Sequence, residues 1–168
     1  MKKIFSFDAE TNGLWGQAFS IAAVVLEKGS VKKWIGRCPI EGEVDPFVAD
    51  NVLPEMEGIE VNYDSYDDLL KAFMDFYMKN KENSDIIVHM GVPVEAKLFI
   101  DAHEKGFIGD WDGPYPLIDI SALPEIGTSV DSSNEKNGIV VPDLTGKTHN
   151  PLYDSYAALF AYEKVMNG

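Results

Sequence analysis

Two acids, Asp8 and Glu10, stand one residue apart near the end of an apolar run, in FSFDAETNGL (residues 5–14). The run from Lys2 through Phe7 suits a strand. Alternate side chains in a strand share a face, so the two carboxylates point the same way. Like charges placed side by side repel, and desolvation adds to the cost. A divalent cation is the usual partner of such a pair. Thr11, Asn12 and Gly13 then suit a turn, with Gly13 supplying backbone freedom. A strand end running into a polar turn also favours Asp. The pair therefore gains meaning only if other carboxylates reach the same point.

Two more acids are placed to do so. Glu95 falls in the first turn of a helix predicted from Pro93 to about Lys105, with Leu98, Phe99 and Ala102 following on its face. A carboxylate sharing an apolar face is costly unless paired. Asp154 falls in the first turn of the last predicted helix, followed at the same intervals by Ala157, Ala158 and Ala161. A face of alanines lets a helix approach a sheet closely, with Asp154 at its near end. Helix N-termini favour acids through the dipole as well. His149 stands five residues before Asp154, at the end of a long polar stretch. An imidazole can take up and release protons near neutrality.

Asp8, Glu10, Glu95 and Asp154 together would offer hard oxygen ligands suited to Mg²⁺ or Mn²⁺. Two such ions about 3.5–4 Å apart can clamp the attacking and leaving oxygens of a phosphodiester. His149 would take the proton from the attacking water.

The elements that must position these groups are legible in outline. Ala18 to Glu27 is an apolar, β-branched run, and Gly29 and Ser30 turn the chain into Ser30 to Cys38. With the first strand this predicts a three-stranded antiparallel meander. Cys38 to Asp64 is irregular and holds eight acids and no Lys or Arg, which suits a solvated connection with one short helical turn. Ser65 to Lys81 is an amphipathic helix, apolar at Leu69, Leu70, Phe73, Phe76 and Tyr77, with Ser65 as N-cap. Short strands are predicted around Ile86–Val88 and at Leu117–Ile120, joined through the Pro93 helix that Gly106 ends, as a parallel βαβ unit. Ser121 to Ile126 suits a short helical segment, and Gly127 to Thr148 a long polar loop of the kind that is often functional. Asn150 and Pro151 open the final helix as N-cap and first position, to about Met166. The fold class that follows is an α/β sheet with helices on both faces.

The chain has 168 residues, which suits one domain over residues 1–168 with a full core. With 45% hydrophobic and 25% charged residues it is not a disordered chain. The single cysteine, Cys38, rules out an internal disulfide and suits the reducing cytoplasm. The first apolar run meets Asp8 too soon for a signal peptide, and no apolar stretch is long enough to span a membrane. A net charge of −14 argues against tight binding along duplex nucleic acid, but not against a site that sees only a strand end through metals.

FDAETNGL resembles the first motif of the DEDDh exonucleases, an apolar strand followed by D-x-E-T-x-G-L. These belong to the ribonuclease H-like superfamily, with ribonuclease T, oligoribonuclease and polymerase proofreading domains. HNPLYDSYAA (149–158) resembles their last motif, in which a histidine precedes an aspartate by five residues and a small-residue helix follows. The order of elements agrees, so the likeness spans most of the chain. It implies a ribonuclease H-like fold, a mixed five-stranded sheet of three antiparallel and then two parallel strands, flanked by helices. It implies removal of nucleoside 5′-monophosphates from the 3′ end of single-stranded RNA or DNA, or of short oligonucleotides, with two Mg²⁺ or Mn²⁺ ions, and frequently a homodimer. RNA is favoured because the chain is small, standalone and acidic, like the ribonuclease members. His149 takes the general-base position and Asp154 a ligand position.

The middle motif departs. The family shows His-Asn and then a Phe-Asp pair opening a helix, whereas this chain has VHMGVPVEAKLF (88–99), with Met90 for Asn, Glu95 for Asp and one extra residue between. Asp101 sits too far along the helix to substitute, and Asp85 precedes the strand. His89 reads as shaping the strand end and Asp119 as a supporting group near the site. The resemblance also gives Thr11 and Leu14 contact with the terminal nucleotide, with Trp15 or Phe19 as stacking candidates, although burial is the commoner fate of such aromatics.

Two other readings share some of these residues. A haloacid-dehalogenase-like phosphatase also places an acidic pair after its first strand, with the first Asp as nucleophile, but Glu10 and the lack of a later Lys followed by paired aspartates fit it poorly. A ribonuclease H-like scaffold that binds a metal or partner without cutting fits the altered middle motif and the acidic surface.

Overall fold

The alternation in KIFSFDAET builds a strand with two different faces. The computed structural model, which describes residues 2–142 and 147–168, gives this strand, β1, the bounds Lys3–Thr11. Phe5, Phe7 and Ala9 point to one side and join the larger apolar core. Ile4, Ser6, Asp8 and Glu10 alternate with them and point to the other. The strand runs further than the apolar residues suggest, because pairing with β2 (Ala18–Glu27) continues from Ile4↔Leu26 through Asp8↔Ala22 and Glu10↔Ser20 to Thr11↔Ala18. The acids thus lie inside the strand, and the turn begins after Thr11, closed by Asn12 N–H to Gln17 O and Gly16 N–H to Gly13 O.

The meander continues into β3 (Ser30–Arg37), antiparallel to β2 as expected. On the other side of β1 lie two parallel strands, β4 (Ser84–Val88) and β5 (Leu117–Asp119). The sheet order is β3-β2-β1-β4-β5, an open, mixed α/β sheet with β1 at its centre. No helix among the described residues is long and apolar enough to cross a membrane.

Helices cover both faces. The amphipathic stripe of α1 (Tyr66–Asn80) and the apolar face of α2 (Val94–Glu104) pack on the Phe5–Phe7 side. Ser65 caps α1 by accepting from Asp68 N–H at 3.2 Å. The opposite face carries α4 (Pro151–Asn167), whose Ala157, Ala158 and Ala161 are all buried. The close approach that this alanine face allows is visible in Ser155, whose short side chain comes within 3.2 Å of Ala22 O on β2 and within 2.7 Å of Pro151 O.

Several local expectations need correction. Gly127 to Thr148 is not wholly a loop: Ser129 caps a helix, α3 (Val130–Lys136), which packs on α4. Residues 143–146 of that stretch lie outside the described residues. The acidic connection holds two helical segments rather than one, Val48–Val52 and Leu53–Met56, whose inward side chains Val48, Val52 and Met56 are buried. The helical segment expected over Ser121–Ile126 is a single turn, Ile120–Ala122. Asp85 does not precede β4 but lies in it, buried, ion-paired with Lys2 and accepting from Tyr162 Oη at 3.2 Å. Pro93 is the N-cap of α2 rather than a residue of its first turn.

The turn from β4 into α2 is tight. Met90 adopts φ +57°, and the N–H groups of Met90 and Gly91 both donate to Asp119 at 3.0 Å. A Cβ on Gly91 would stand 2.4 Å from Val88 Cγ2 and 2.9 Å from Val88 Cβ, inside the core. Gly91→Ala is therefore expected to cost about 1–3 kcal/mol by overpacking. Urea unfolding measures it, and an unchanged midpoint would refute the steric argument.

Candidate metal centre

Three elements bring the acids together. β1 supplies Asp8 and Glu10 from the face that α4 covers. Ser155 lies against Ala22, and Ala22 is the cross-strand partner of Asp8. This register sets Asp154, one residue earlier in α4, beside the strand's acids. Oxygens of Asp8, Glu10 and Asp154 all lie within 4.8 Å of one another.

Glu95 stands outside this close group but on the same cleft. Pairing of β1 with β4 stops at Ser6↔Ile87, so the next stretch of β1 has no strand on that side. Glu95, in the first turn of α2 and only 4% exposed, accepts there from Ala9 N–H at 2.9 Å. The cleft has a volume of about 500 Å³, and all four acids line it together with His149, Thr11 and Leu14.

His149 takes φ +72°, rare for a residue with a side chain. Its N–H donates to Asp154 Oδ2 at 2.9 Å, and its ring meets Phe47 edge to face at 5.7 Å between centroids. The next residue, Asn150, caps α4 by accepting from Leu152 and Tyr153 N–H. The histidine is thus held against the acid that the helix start presents.

Electrostatics sharpen the picture. Burial first, and then the charges of Asp154, Glu95 and Glu10, raise the Asp8 carboxyl well above its ordinary range. Burial, Asp154 and Glu95 push Glu10 up to about 9. Burial also lifts Glu95 and Asp154 to about 7, against the pull of the N–H groups that Ala9 and His149 donate to them. Among the described residues no Lys or Arg pairs with any of the four acids, and none lines the cleft.

No protein-family model and no curated protein sequence matches this chain.

The donor set of Asp8, Glu10 and Asp154 carries its own chemical preference. It is entirely carboxylate oxygen, closely grouped and lacking a protein cation, which suits a hard divalent ion and not a soft one. Glu95, on a longer arm and already bonded to β1, would join from the side.

The remaining expected residues divide. Asp119 holds the Met90–Gly91 turn and also accepts from Ser121; burial opposes its ionisation, but these hydrogen bonds outweigh it and keep its carboxyl below the ordinary range. It supports the start of α2, as a near-site role requires. His89 lines the cleft and lies 2.9 Å from Gly127 O through Nε2. Asp101 is taken by Lys97 and Tyr66, away from the acids. Trp15 is 76% exposed and does not line the cleft, whereas Phe19 is buried in the core. Met90, noted from the sequence only as standing in place of Asn, lines the cleft, as do Phe47 and Asp131, which were not singled out. Ser129 followed by Asp131 is a helix-start pattern that could have exposed the last of these; Phe47 sits in an irregular stretch and carries no comparable signal.

The raised acids make stability pH-dependent in a definite direction. Folding favours their protonated forms, so that contribution is full below the ordinary values of 3.8 and 4.5 and is lost as pH rises through about 7 and 9. Without divalent cations the melting temperature should fall between pH 5 and pH 9. Saturating Mn²⁺ at pH 8 should raise it by about 5–10 °C, as binding at 100 times Kd contributes about 2.7 kcal/mol. Glu10→Gln should raise the metal-free melting temperature at pH 8 and reduce the Mn²⁺ gain. Calorimetric scans with and without chelator decide it; a chelator-insensitive wild type would refute the cation fit.

Proposed function

We propose that this chain is a metal-dependent 3′-to-5′ exonuclease of the DEDDh type on a ribonuclease H-like fold. Its substrate is a single-stranded 3′ end or a short oligonucleotide, RNA in preference, and its product a nucleoside 5′-monophosphate. The observation that carries the reading is the convergence of Asp8, Glu10, Glu95, Asp154 and His149, from separate parts of the chain, on one cleft. The mixed sheet order, the element order and the two sequence motifs support it.

Asp8, Glu10 and Asp154, with Glu95 beside them, would hold the Mg²⁺ or Mn²⁺ ions. When bound, these ions would supply Lewis acidity at the phosphate and neutralise charge on the attacking and leaving oxygens. The carboxylates alone would repel a phosphodiester. His149 lines the cleft, where its imidazole would accept the proton of the attacking water as the 3′ oxygen leaves. Thr11 and Leu14 border the space for the terminal nucleotide, and Leu14, 62% exposed, offers an apolar surface to a base. Trp15 does not line the cleft and has no part in this reading. Among the described residues no cationic side chain lines the cleft, which fits engagement of a strand end rather than of a long backbone.

A phosphatase with Asp8 as nucleophile gains no support, because Asp8 stands among carboxylates and, among the described residues, no lysine lines the cleft to offset a phosphoryl group's charge. A non-cutting binding module remains the second reading, favoured by Glu95 lying outside the close carboxylate group.

An end-labelled single-stranded oligonucleotide with Mn²⁺ separates the two. Stepwise shortening from the 3′ end, abolished by Asp8→Ala, is the expected result; no shortening would leave the binding module. His149→Ala should lower turnover by about 10²–10⁴-fold while Mn²⁺ binding persists. Normal cutting by that variant would remove His149 as base. Matched RNA and DNA oligomers test the sugar preference, with RNA expected to be cut faster.

A further inference from the structure

The acids of the cleft are held by strands and helix starts, but His149 lies on a connection and needs its own support. The residues around it are tied on two sides. On one side Lys147 N–H donates to Glu55 Oε2 at 2.9 Å, and Asn150 Nδ2 donates to Glu55 O at 3.1 Å. On the other, Asp131 engages two parts of the chain at once. Its Oδ2 accepts from Thr148 Oγ1 at 2.9 Å, and its Oδ1 accepts from Tyr153 Oη at 2.9 Å. Thr148 immediately precedes His149, and Tyr153 immediately precedes Asp154.

Asp131 is itself firmly seated. It lies in the first turn of α3, beside buried Val130, and α3 is bonded to α4 through Asn134 Nδ2 and Ala157 O at 3.1 Å. A carboxylate on a packed helix thus fixes the spacing between the residue before the histidine and the helix that carries Asp154. Asp131 also lines the cleft, so a ligand role must be weighed. Each of its oxygens already accepts a hydroxyl proton, and it lies outside the close group of Asp8, Glu10 and Asp154.

We infer that Asp131 is a positioning residue: through Thr148 it sets where the His149 imidazole stands relative to the metal-ligand candidates. The kinetic part of this inference rests on the exonuclease reading, but the structural part does not.

Thr148→Val tests it with least disturbance, since it removes the hydroxyl, keeps the shape and leaves every charge in place. With a single-stranded oligonucleotide and Mn²⁺, kcat should fall about tenfold and KM stay within about twofold, because a displaced proton acceptor affects the chemical step and not binding. Thr148→Ser, which restores the hydroxyl, should recover kcat. Asp131→Ala should lower kcat by about a hundredfold, and adding Thr148→Val to it should change little further, as both remove one link. Mn²⁺ affinity of Thr148→Val, by titration calorimetry, should match wild type. Amide exchange over residues 147–150 should quicken by about tenfold in Thr148→Val, independently of any activity.

Wild-type kcat and unchanged exchange in Thr148→Val would overturn the inference. So would weakened Mn²⁺ binding in that variant, which would place the link in the metal site instead. If the wild type shortens no oligonucleotide, the exonuclease reading fails, and the exchange measurement still decides whether Asp131 holds the histidine segment.

Discussion

Repulsion among carboxylates gathered at one cleft, Glu10 and Glu95 buried and Asp8 and Asp154 half-buried, is the constraint around which this molecule is organised. Asp8 and Glu10 leave the central strand on one face, and Asp154 meets them from the helix that covers it. Glu95 adds a fourth charge from the neighbouring helix start. No cationic side chain relieves them among the described residues. A fold held together only by local preference would separate such groups. Here they are kept close by the two apolar cores that sandwich the sheet, which contribute far more than the acids cost.

The geometry that enforces this closeness is ordinary packing. β1 is paired on both sides over its first half, so its position is determined by β2 and β4 together. α4 is brought down onto the sheet by alanines, and Ser155 reaches the backbone of β2. A larger side chain at Ala157 or Ala158 would lift the helix and carry Asp154 away from Asp8. Small residues with no reactive group of their own, Ala158 at the cleft among them, thus control the spacing of the acids.

Glu95 shows how a departure from a motif can be accommodated. Against the motif of the proposed exonuclease reading, the turn before it would be one residue longer and its side chain one methylene longer. Asp119 anchors that turn through Met90 and Gly91, so the start of α2 is fixed despite the insertion. The longer arm still reaches β1, at the backbone of Ala9 beyond the last β4 pairing. The bond to Ala9 occupies one oxygen of Glu95, and Glu95 stands outside the close group of the other three acids.

Local sequence determined the elements whose signals are local. Alternation marked β1 and β2, apolar periodicity and a serine cap marked α1, and Asn150 with Pro151 marked the start of α4. The acids were legible because each shares a strand or helix face with apolar or small residues that turn toward the core. α3 escaped because seven residues are too few for a periodic pattern, and its apolar contact is a single valine, Val130. Tertiary structure alone decided that Trp15 stays out of the cleft lining, that Glu95 stands outside the close group of acids, and that Phe47, Glu55 and Asp131 surround the His149 segment. Those outcomes depend on contacts between residues far apart in the chain. Periodicity and capping report only which face a residue occupies on its own element, never which distant element that face will meet.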